Sequence, residues 1–217
     1  MMSKEMARSQ MVRQQVRTRY VFDQNVLELM QTLPRDQFVS KQYDDLAYAD
    51  VQLPLAHSQV MMTPGMEGCL LQSLELESTD RVLEVGTGSG FLTACLASLS
   101  ASVVSIDIFD DLLATAATNL ERVELENVTL ENMDATVMLP DGPFDAIAVT
   151  GSVPSIDTRF VDLLSPGGRL YLIVGAPPMM EAFLIVRSQN SEWYGNSMFE
   201  TEIPALISER QDMGFTF

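Results

Sequence analysis

The chain has 217 residues, 47% of them apolar, and its 13 Lys and Arg stand against 30 Asp and Glu for a net charge of −17. This length and composition exclude a disordered or collagen-like chain and admit one substantial α/β domain, with or without an N-terminal extension. The acidic balance argues against nucleic acid or an anionic membrane as partner; no run of 18 apolar residues offers a membrane span, and the first 20 residues lack the apolar stretch of a secretion signal, so a cytoplasmic setting is expected.

Residues 3–33 read as helix in two pieces, the second capped by Asp23 and ended by Pro34. The start is locally basic. Residues 1–41 carry seven Lys and Arg and four acids, a balance of +3, against −20 for the rest. Two explanations fit: a basic helix lying on an acidic body, or a guide for an acidic group on a substrate. Residues 40–63 show no clear period and hold Pro54, Ser58 and the sole histidine, His57, so a loop with short extended pieces is expected. Pro64 then stands at a favourable first helical position, with Met66, Cys69, Leu70, Leu71 and Leu74 forming an apolar face.

From Arg81 the pattern changes. Short apolar runs at 82–85, 103–106, 128–130, 146–149 and 170–174 alternate with helical patterns at 91–99, 110–123 and 157–164. Two further strands are expected at 182–188 and 198–206, parted by a turn-rich 189–195. The alternation predicts an α/β fold: a mostly parallel seven-stranded sheet with helices on both faces and an N-terminal helical extension. Cys69 and Cys95 have no metal-ligand spacing and are too few for a disulfide framework, so they read as buried thiols and no metal site is expected.

The chemistry concentrates in Glu84-Val85-Gly86-Thr87-Gly88-Ser89-Gly90-Phe91, which follows a predicted strand and opens a helix. Glycines there allow a sharp turn and close approach of a ligand. A dinucleotide fingerprint wants a further glycine where Phe91 stands. Glu84 would repel a pyrophosphate but suits a ligand bearing an ammonium and a sulfonium, whose own carboxylate would meet the N–H groups opening the next helix. Asp107, followed by Ile108, ends the next strand and fits a ribose diol. Asp134, followed by Ala135, ends the third and fits an adenine amino group. Any one acid alone could be a solvated strand end. Three at successive strand ends beside this turn read as a site for S-adenosylmethionine, with S-adenosylhomocysteine as product.

At these residues the chain resembles the protein-L-isoaspartate O-methyltransferases over nearly its whole length. Met11-Val12-Arg13-Gln14-Gln15-Val16-Arg17 is similar to that family's N-terminal helix, and Pro34-Arg35-Asp36-Gln37-Phe38-Val39 to its Pro-Arg-x-x-Phe-Val segment. Ala47-Tyr48-Ala49-Asp50 and Leu53-Pro54-Leu55 resemble further family pieces, as do residues 81–91, 143–147 and 166–170. The resemblance implies a Rossmann-like, doubly wound class I methyltransferase with its own ordering of the last strands. It also implies methyl transfer to the carboxylate of isoaspartyl residues, the first step in protein repair. Residues 1–63 would form the N-terminal extension and substrate loop, and 64–217 the S-adenosylmethionine-binding domain, in one compact unit.

One stretch departs from the family. Its substrate loop reads Gly-x-Gly-Gln-Thr-Ile-Ser; this chain has Ala56-His57-Ser58-Gln59-Val60-Met61-Met62, keeping Gln59 but replacing Thr by Val60 and Ser by Met62. The family's serine is taken to touch the carboxylate, and losing such a bond costs roughly 1.5–3 kcal/mol, about 10- to 150-fold. His57, Gln59, Met62 and Thr63 are therefore the candidate catalytic residues. A carboxylate acceptor needs no general base, its reference pKa lying near 4, whereas an amine or hydroxyl acceptor would call on His57. Alternatives are a methyltransferase for another acceptor, a small molecule or another protein group, and a non-catalytic S-adenosylmethionine-binding protein.

Overall fold

A computed structural model describes residues 3–190 and 192–208. Helix α1, Lys4–Met11, begins where the Ser3 side chain accepts the Met6 N–H. Its winding widens over Val12–Val16, tightens over Arg17–Arg19, and stops at Tyr20 in the left-handed region. Asp23 accepts the Val26 N–H at 3.1 Å to cap α2, Gln24–Thr32, and Pro34 follows its end. The aperiodic segment contains a tight helical stretch, Lys41–Leu46, and then a small hairpin of β1, Leu53–Pro54, and β2, Val60–Met61. Helix α3, Pro64–Leu74, starts at Pro64 as expected, with Thr63 as its cap.

The main sheet comprises β3 (Arg81–Val85), β4 (Ser102–Asp107), β5 (Val128–Asn132), β6 (Phe144–Val153), β7 (Leu164–Ala176), β8 (Met179–Arg187) and β9 (Trp193–Glu200). Its order is β5-β4-β3-β6-β7-β8-β9, parallel through β7 and antiparallel beyond. The connecting helices are α4 (Phe91–Leu99), α5 (Asp110–Arg122) and the short α6 (Thr158–Asp162). The chain winds outward one way from β3 and the other way from β6, so a crevice opens at the C-terminal ends of those two strands.

Period-two alternation assigns the faces. Val82, Ala146, Ala148 and Tyr171 join a core with Met11, Val16 and Met30 of the N-terminal segment, Leu70 of α3 and Leu96 of α4. Leu83, Val85, Ile147, Val149 and Leu172 form a second core with Phe160 and Val161 of α6. Glu84 follows Val82 to the α4 side, where Thr93 meets it.

Three expectations shift. The helix expected at 157–164 is cut to Thr158–Asp162, because Leu164 opens β7 against Phe144. The strand expected at 182–188 begins earlier, at Met179, and ends at Arg187. The last strand lies at Trp193–Glu200 rather than 198–206, since Trp193, Tyr194 and Gly195 pair with Arg187, Val186 and Ile185. The turn is correspondingly shorter, closed by the Ser188 N–H to Glu192 O at 2.7 Å; Ser191 within it lies outside the described residues, as do 1–2 and 209–217. Beyond β9 the chain leaves the sheet and returns over the strand ends, where the Ser152 N–H donates to Pro204 O at 3.0 Å and the Leu206 N–H to Ser152 O at 2.9 Å. Some of the N-terminal positive charge is used at home, Lys4 meeting Asp36 at 2.9 Å and Asp44 at 2.7 Å. Among the described residues no helix is long and apolar enough to cross a membrane.

Candidate cofactor and acceptor site

The turn after β3 places Gly86, Gly88 and Gly90 all at positive φ. A Cβ on Gly86 would stand 2.2 Å from Thr150 Oγ1, so this position requires glycine for space as well as conformation. Gly90 sits at the N-cap of α4. The Thr150 hydroxyl, within hydrogen-bonding distance of Val85 O and Gly86 O at 2.9 Å each, ties the end of β6 to the turn.

Glu84 is 0% exposed. Its Oε2 accepts from Ser105 Oγ at 2.6 Å and from Thr93 Oγ1, while Oε1 is buried without a partner among the described residues. Burial pushes its pKa up to about 8, against the pull of the two hydroxyl donors. A buried carboxylate oxygen left open beside a glycine turn is the feature an ammonium-bearing ligand would complete.

Asp107 ends β4. Its Oδ2 accepts the Gly88 N–H at 3.0 Å and its Oδ1 the Phe109 N–H at 3.1 Å, so it braces the turn while each oxygen keeps a lone pair for a diol. Burial raises its pKa and those N–H groups oppose the rise.

Around these residues lies a cleft that opens to solvent. Asp107, Ile108, Phe109, Leu112, Met133, Ala135 and Thr136 are among its lining residues. It shares Leu55, Val60, Gly86, Gly88 and Thr150 with an inner cleft that reaches Glu84, Thr87, Ser89, Phe91, Met61, Met62 and Glu67. The residues present fit S-adenosylmethionine: open carboxylate inward, paired carboxylate and apolar walls outward.

Of the residues singled out from sequence, Gln59, Met62, Glu84, Gly86, Thr87, Gly88, Ser89, Phe91, Asp107, Ile108 and Ala135 line these two clefts. Four do not. Gly90 supports the turn from behind, and Thr63 caps α3, accepting the Met66 N–H. Asp134 turns to Thr136, accepting its N–H at 2.8 Å and its hydroxyl at 2.6 Å, and Ser208 donates to it at 3.0 Å. His57 faces away, its Nε2–H donating to Asp111 Oδ1 at 2.8 Å.

Sequence reasoning missed Thr150, Phe109, Met133 and the returning residues Ile203, Pro204 and Leu206, all lining the outer cleft. The signal for Thr150 was its place at the end of a strand flanking the switch point. The returning residues carry no local signal, because only the topology brings them there.

A buried arginine explains the Pro-Arg segment. Arg35 and Glu67, each 1% exposed, form an ion pair. Arg35 also donates to Ala47 O at 2.9 Å and Met62 O at 2.6 Å, and lies over the Phe91 ring at 4.8 Å. One side chain thus joins the N-terminal segment, the end of the β1–β2 hairpin, α3 and the start of α4. Burial pushes Glu67 up to about 7 although Arg35 opposes it.

The chain is similar to known proteins over nearly its whole length. The family model of protein-L-isoaspartate(D-aspartate) O-methyltransferase matches residues 6–210. A protein-L-isoaspartate O-methyltransferase of Methanoculleus marisnigri is 37% identical over 183 residues, covering 84% of this chain and 83% of that one. One of Koribacter versatilis is 36% identical over 204 residues, 94% and 91% of the two chains. A crystal structure of a putative enzyme of that kind from Plasmodium falciparum, in complex with S-adenosyl-L-homocysteine, superposes with a TM-score of 0.79 at 21% identity, covering 92% of this chain and 98% of that one.

Proposed function

The chain belongs to the protein-L-isoaspartate(D-aspartate) O-methyltransferase family, and on that premise we propose how its own residues divide the work of an S-adenosylmethionine-dependent methyltransferase acting on isoaspartyl residues of proteins. Glu84 Oε1 takes the ammonium of the methionine end, and the N–H groups opening α4 take its carboxylate. Asp107 accepts from the ribose diol, while Ile108, Phe109, Met133 and Ala135 enclose the adenine. Asp134 acts behind that wall by fixing Thr136, whose backbone and side chain it binds.

S-adenosylmethionine supplies a methyl group on a sulfonium, whose C–S bond breaks as a C–O bond to the acceptor carboxylate forms, leaving a neutral thioether and a methyl ester. No residue is required as a base, because the acceptor is already ionised at neutral pH. The chain contributes alignment and dryness. Leu55, Val60, Met61 and Met62 form an apolar wall toward the inner cleft. Gln59, on the same hairpin, presents the one amide of that wall. A broad groove bounded by Gln52, Ser155, Arg159 and Glu202 adjoins the cofactor cleft at Ala135, Thr136 and residues 203–206, giving a polypeptide acceptor room to approach. We place the reaction in the cytoplasm, where the free buried thiols of Cys69 and Cys95 would persist.

The observation that carries the reading is the buried, unpartnered Glu84 oxygen at one end of a cleft whose other end is Asp107. Methyl transfer from labelled S-adenosylmethionine to an isoaspartyl peptide, with the matching aspartyl peptide as control, tests it. Selective labelling of the isoaspartyl peptide is expected. Cofactor binding without transfer to either peptide would turn the search to another acceptor or to a binding role, the alternative that Val60 and Met62 favour by putting methyl and thioether groups where hydroxyls would serve a carboxylate.

A further inference from the structure

The hairpin carrying the acceptor-side residues is fastened across the cofactor cleft at its tip. β1 and β2 pair Leu53 with Met61 and Pro54 with Val60, and the loop closes with the Leu55 N–H to Gln59 O at 2.8 Å. At the tip His57 and Ser58 both have positive φ, 56° and 57°. Two consecutive non-glycine residues hold that conformation only when their surroundings fix them. The surroundings here are specific. The His57 ring lies parallel to Phe109, centroids 3.8 Å apart at 6°. Its Nε2–H lies 2.8 and 3.0 Å from the two Asp111 carboxylate oxygens, and the Gln59 amide donates to His57 O at 3.2 Å. Phe109 and Asp111 follow directly on Asp107. Leu55, Gln59 and Val60 of the hairpin thus line the same cleft as Asp107, Ile108 and Phe109, and His57 joins the two segments.

We propose that His57, Phe109 and Asp111 form a latch that holds the hairpin over the nucleoside end of the cofactor cleft, so that His57 is a positioning residue governing how long the cofactor stays. The His57–Asp111 pair, with side chains 38% and 61% exposed, contributes little by itself. It orients the imidazole, and the stack on Phe109 supplies the closing contact. Because Phe109 also lines the cleft, a bound adenosine and the histidine ring meet opposite sides of one local structure. Opening for exchange must break the stack. His57 acts through Phe109 and the hairpin, not on the acceptor. The inference rests on the cofactor reading above and is independent of which acceptor is used.

S-adenosylhomocysteine dissociation from the immobilised protein, read by surface plasmon resonance, tests the latch on wild type, H57A, H57F, F109L and H57A/F109L. H57A should speed dissociation roughly three- to tenfold, the range of an aromatic contact, and raise KM for S-adenosylmethionine more than it changes kcat. H57F, which keeps a ring for Phe109, should recover most of the loss. In the F109L background H57A should add nothing. Melting temperatures of the His57 variants should match wild type, because the hairpin tip is exposed. Unchanged dissociation in H57A, or effects of H57A and F109L that multiply, would overturn the latch. Failure of wild type to bind S-adenosylhomocysteine would overturn the cofactor reading with it, whereas binding with an indifferent His57 sinks the latch alone.

Discussion

On the proposed reading, Glu84 exchanges a proton for the cofactor's ammonium. Held at about 8 by burial, it is largely protonated at pH 7 in the free protein, yet it must be ionised to receive an ammonium. Cofactor binding at pH 7 should therefore release a proton, visible as calorimetric heats that change with the buffer's ionisation enthalpy. Affinity should rise toward pH 8 and fall above it, as the ligand's α-amino group, with a reference pKa of about 7.7–8.0, loses its charge. Glu84→Gln should abolish the rising limb and the buffer dependence; a variant with an unaltered profile would refute the assignment. The same shift acts on folding. The folded pKa lies above the unfolded value of 4.5, so Glu84 favours the folded chain fully below pH 4.5 and withdraws that support as pH climbs through 8. Ligand-free Glu84→Gln should accordingly gain melting temperature over wild type as pH rises from 5 to 9. Asp107→Ala removes both the diol partner and the brace on Gly88, and should weaken cofactor binding by well over tenfold; equal binding by calorimetry would sink the ribose assignment. Met62→Ser carries two opposed effects. The hydroxyl should raise isoaspartyl turnover per folded molecule, while loss of a side chain only 4% exposed should cost about 2–5 kcal/mol in denaturant unfolding. No gain in turnover would point to a different acceptor.

Between elements, the Arg35–Glu67 pair is the joint that holds the N-terminal segment to α3 and the acceptor loop. Arg35→Met strands a buried carboxylate and should cost about 3–5 kcal/mol. The cost should be larger at pH 8 than at pH 6, because without Arg35 the folded chain must keep Glu67 protonated. Arg35→Met with Glu67→Gln should recover most of it and flatten the pH difference; a double variant as unstable as the single would show that the arginine matters through Ala47 and Met62 instead. This joint was not legible as such. The Pro-Arg segment was recognised by resemblance, but nothing near Arg35 in sequence names Glu67, 32 residues on. Elements with their own signals were legible: the apolar runs of β3, β4 and β6, Asp23 as a cap, and Pro64 at a helix start. The last strand was misplaced because Trp193 and Tyr194 adjoin turn-forming residues and were read as part of the turn, although aromatic residues favour strands. The glycine turn and Asp107 were found because strand ends at a switch point announce themselves. Thr150, just after the apolar run 146–149, carries the same kind of signal, whereas the role of Phe109 exists only once the hairpin closes on it.

At the scale of the whole molecule, the basic N-terminal segment is both a lid on the core and the main relief of its charge. Met11, Val16, Met30 and Phe38 share one core with Leu70, Leu71, Phe91 and Leu96, so removing residues 1–41 would expose apolar faces of α3 and α4. It would also leave a remainder with a charge balance of −20. Either effect alone predicts a destabilised remainder, and salt separates them. Raising ionic strength from about 0.1 to 1 M shortens the screening length from about 10 to 3 Å and relieves self-repulsion without restoring buried area. The full chain should therefore gain melting temperature with added sodium chloride. The truncated chain should show no cooperative unfolding at either salt and should bind a hydrophobic dye, because the core area the missing helices cover is not restored by screening charge. Cooperative melting of the truncated chain restored by salt would mean instead that the N-terminal segment stabilises mainly by charge. Cooperative melting at low salt, with S-adenosylhomocysteine binding intact, would mean that the cofactor domain folds by itself and that the segment serves the acceptor alone.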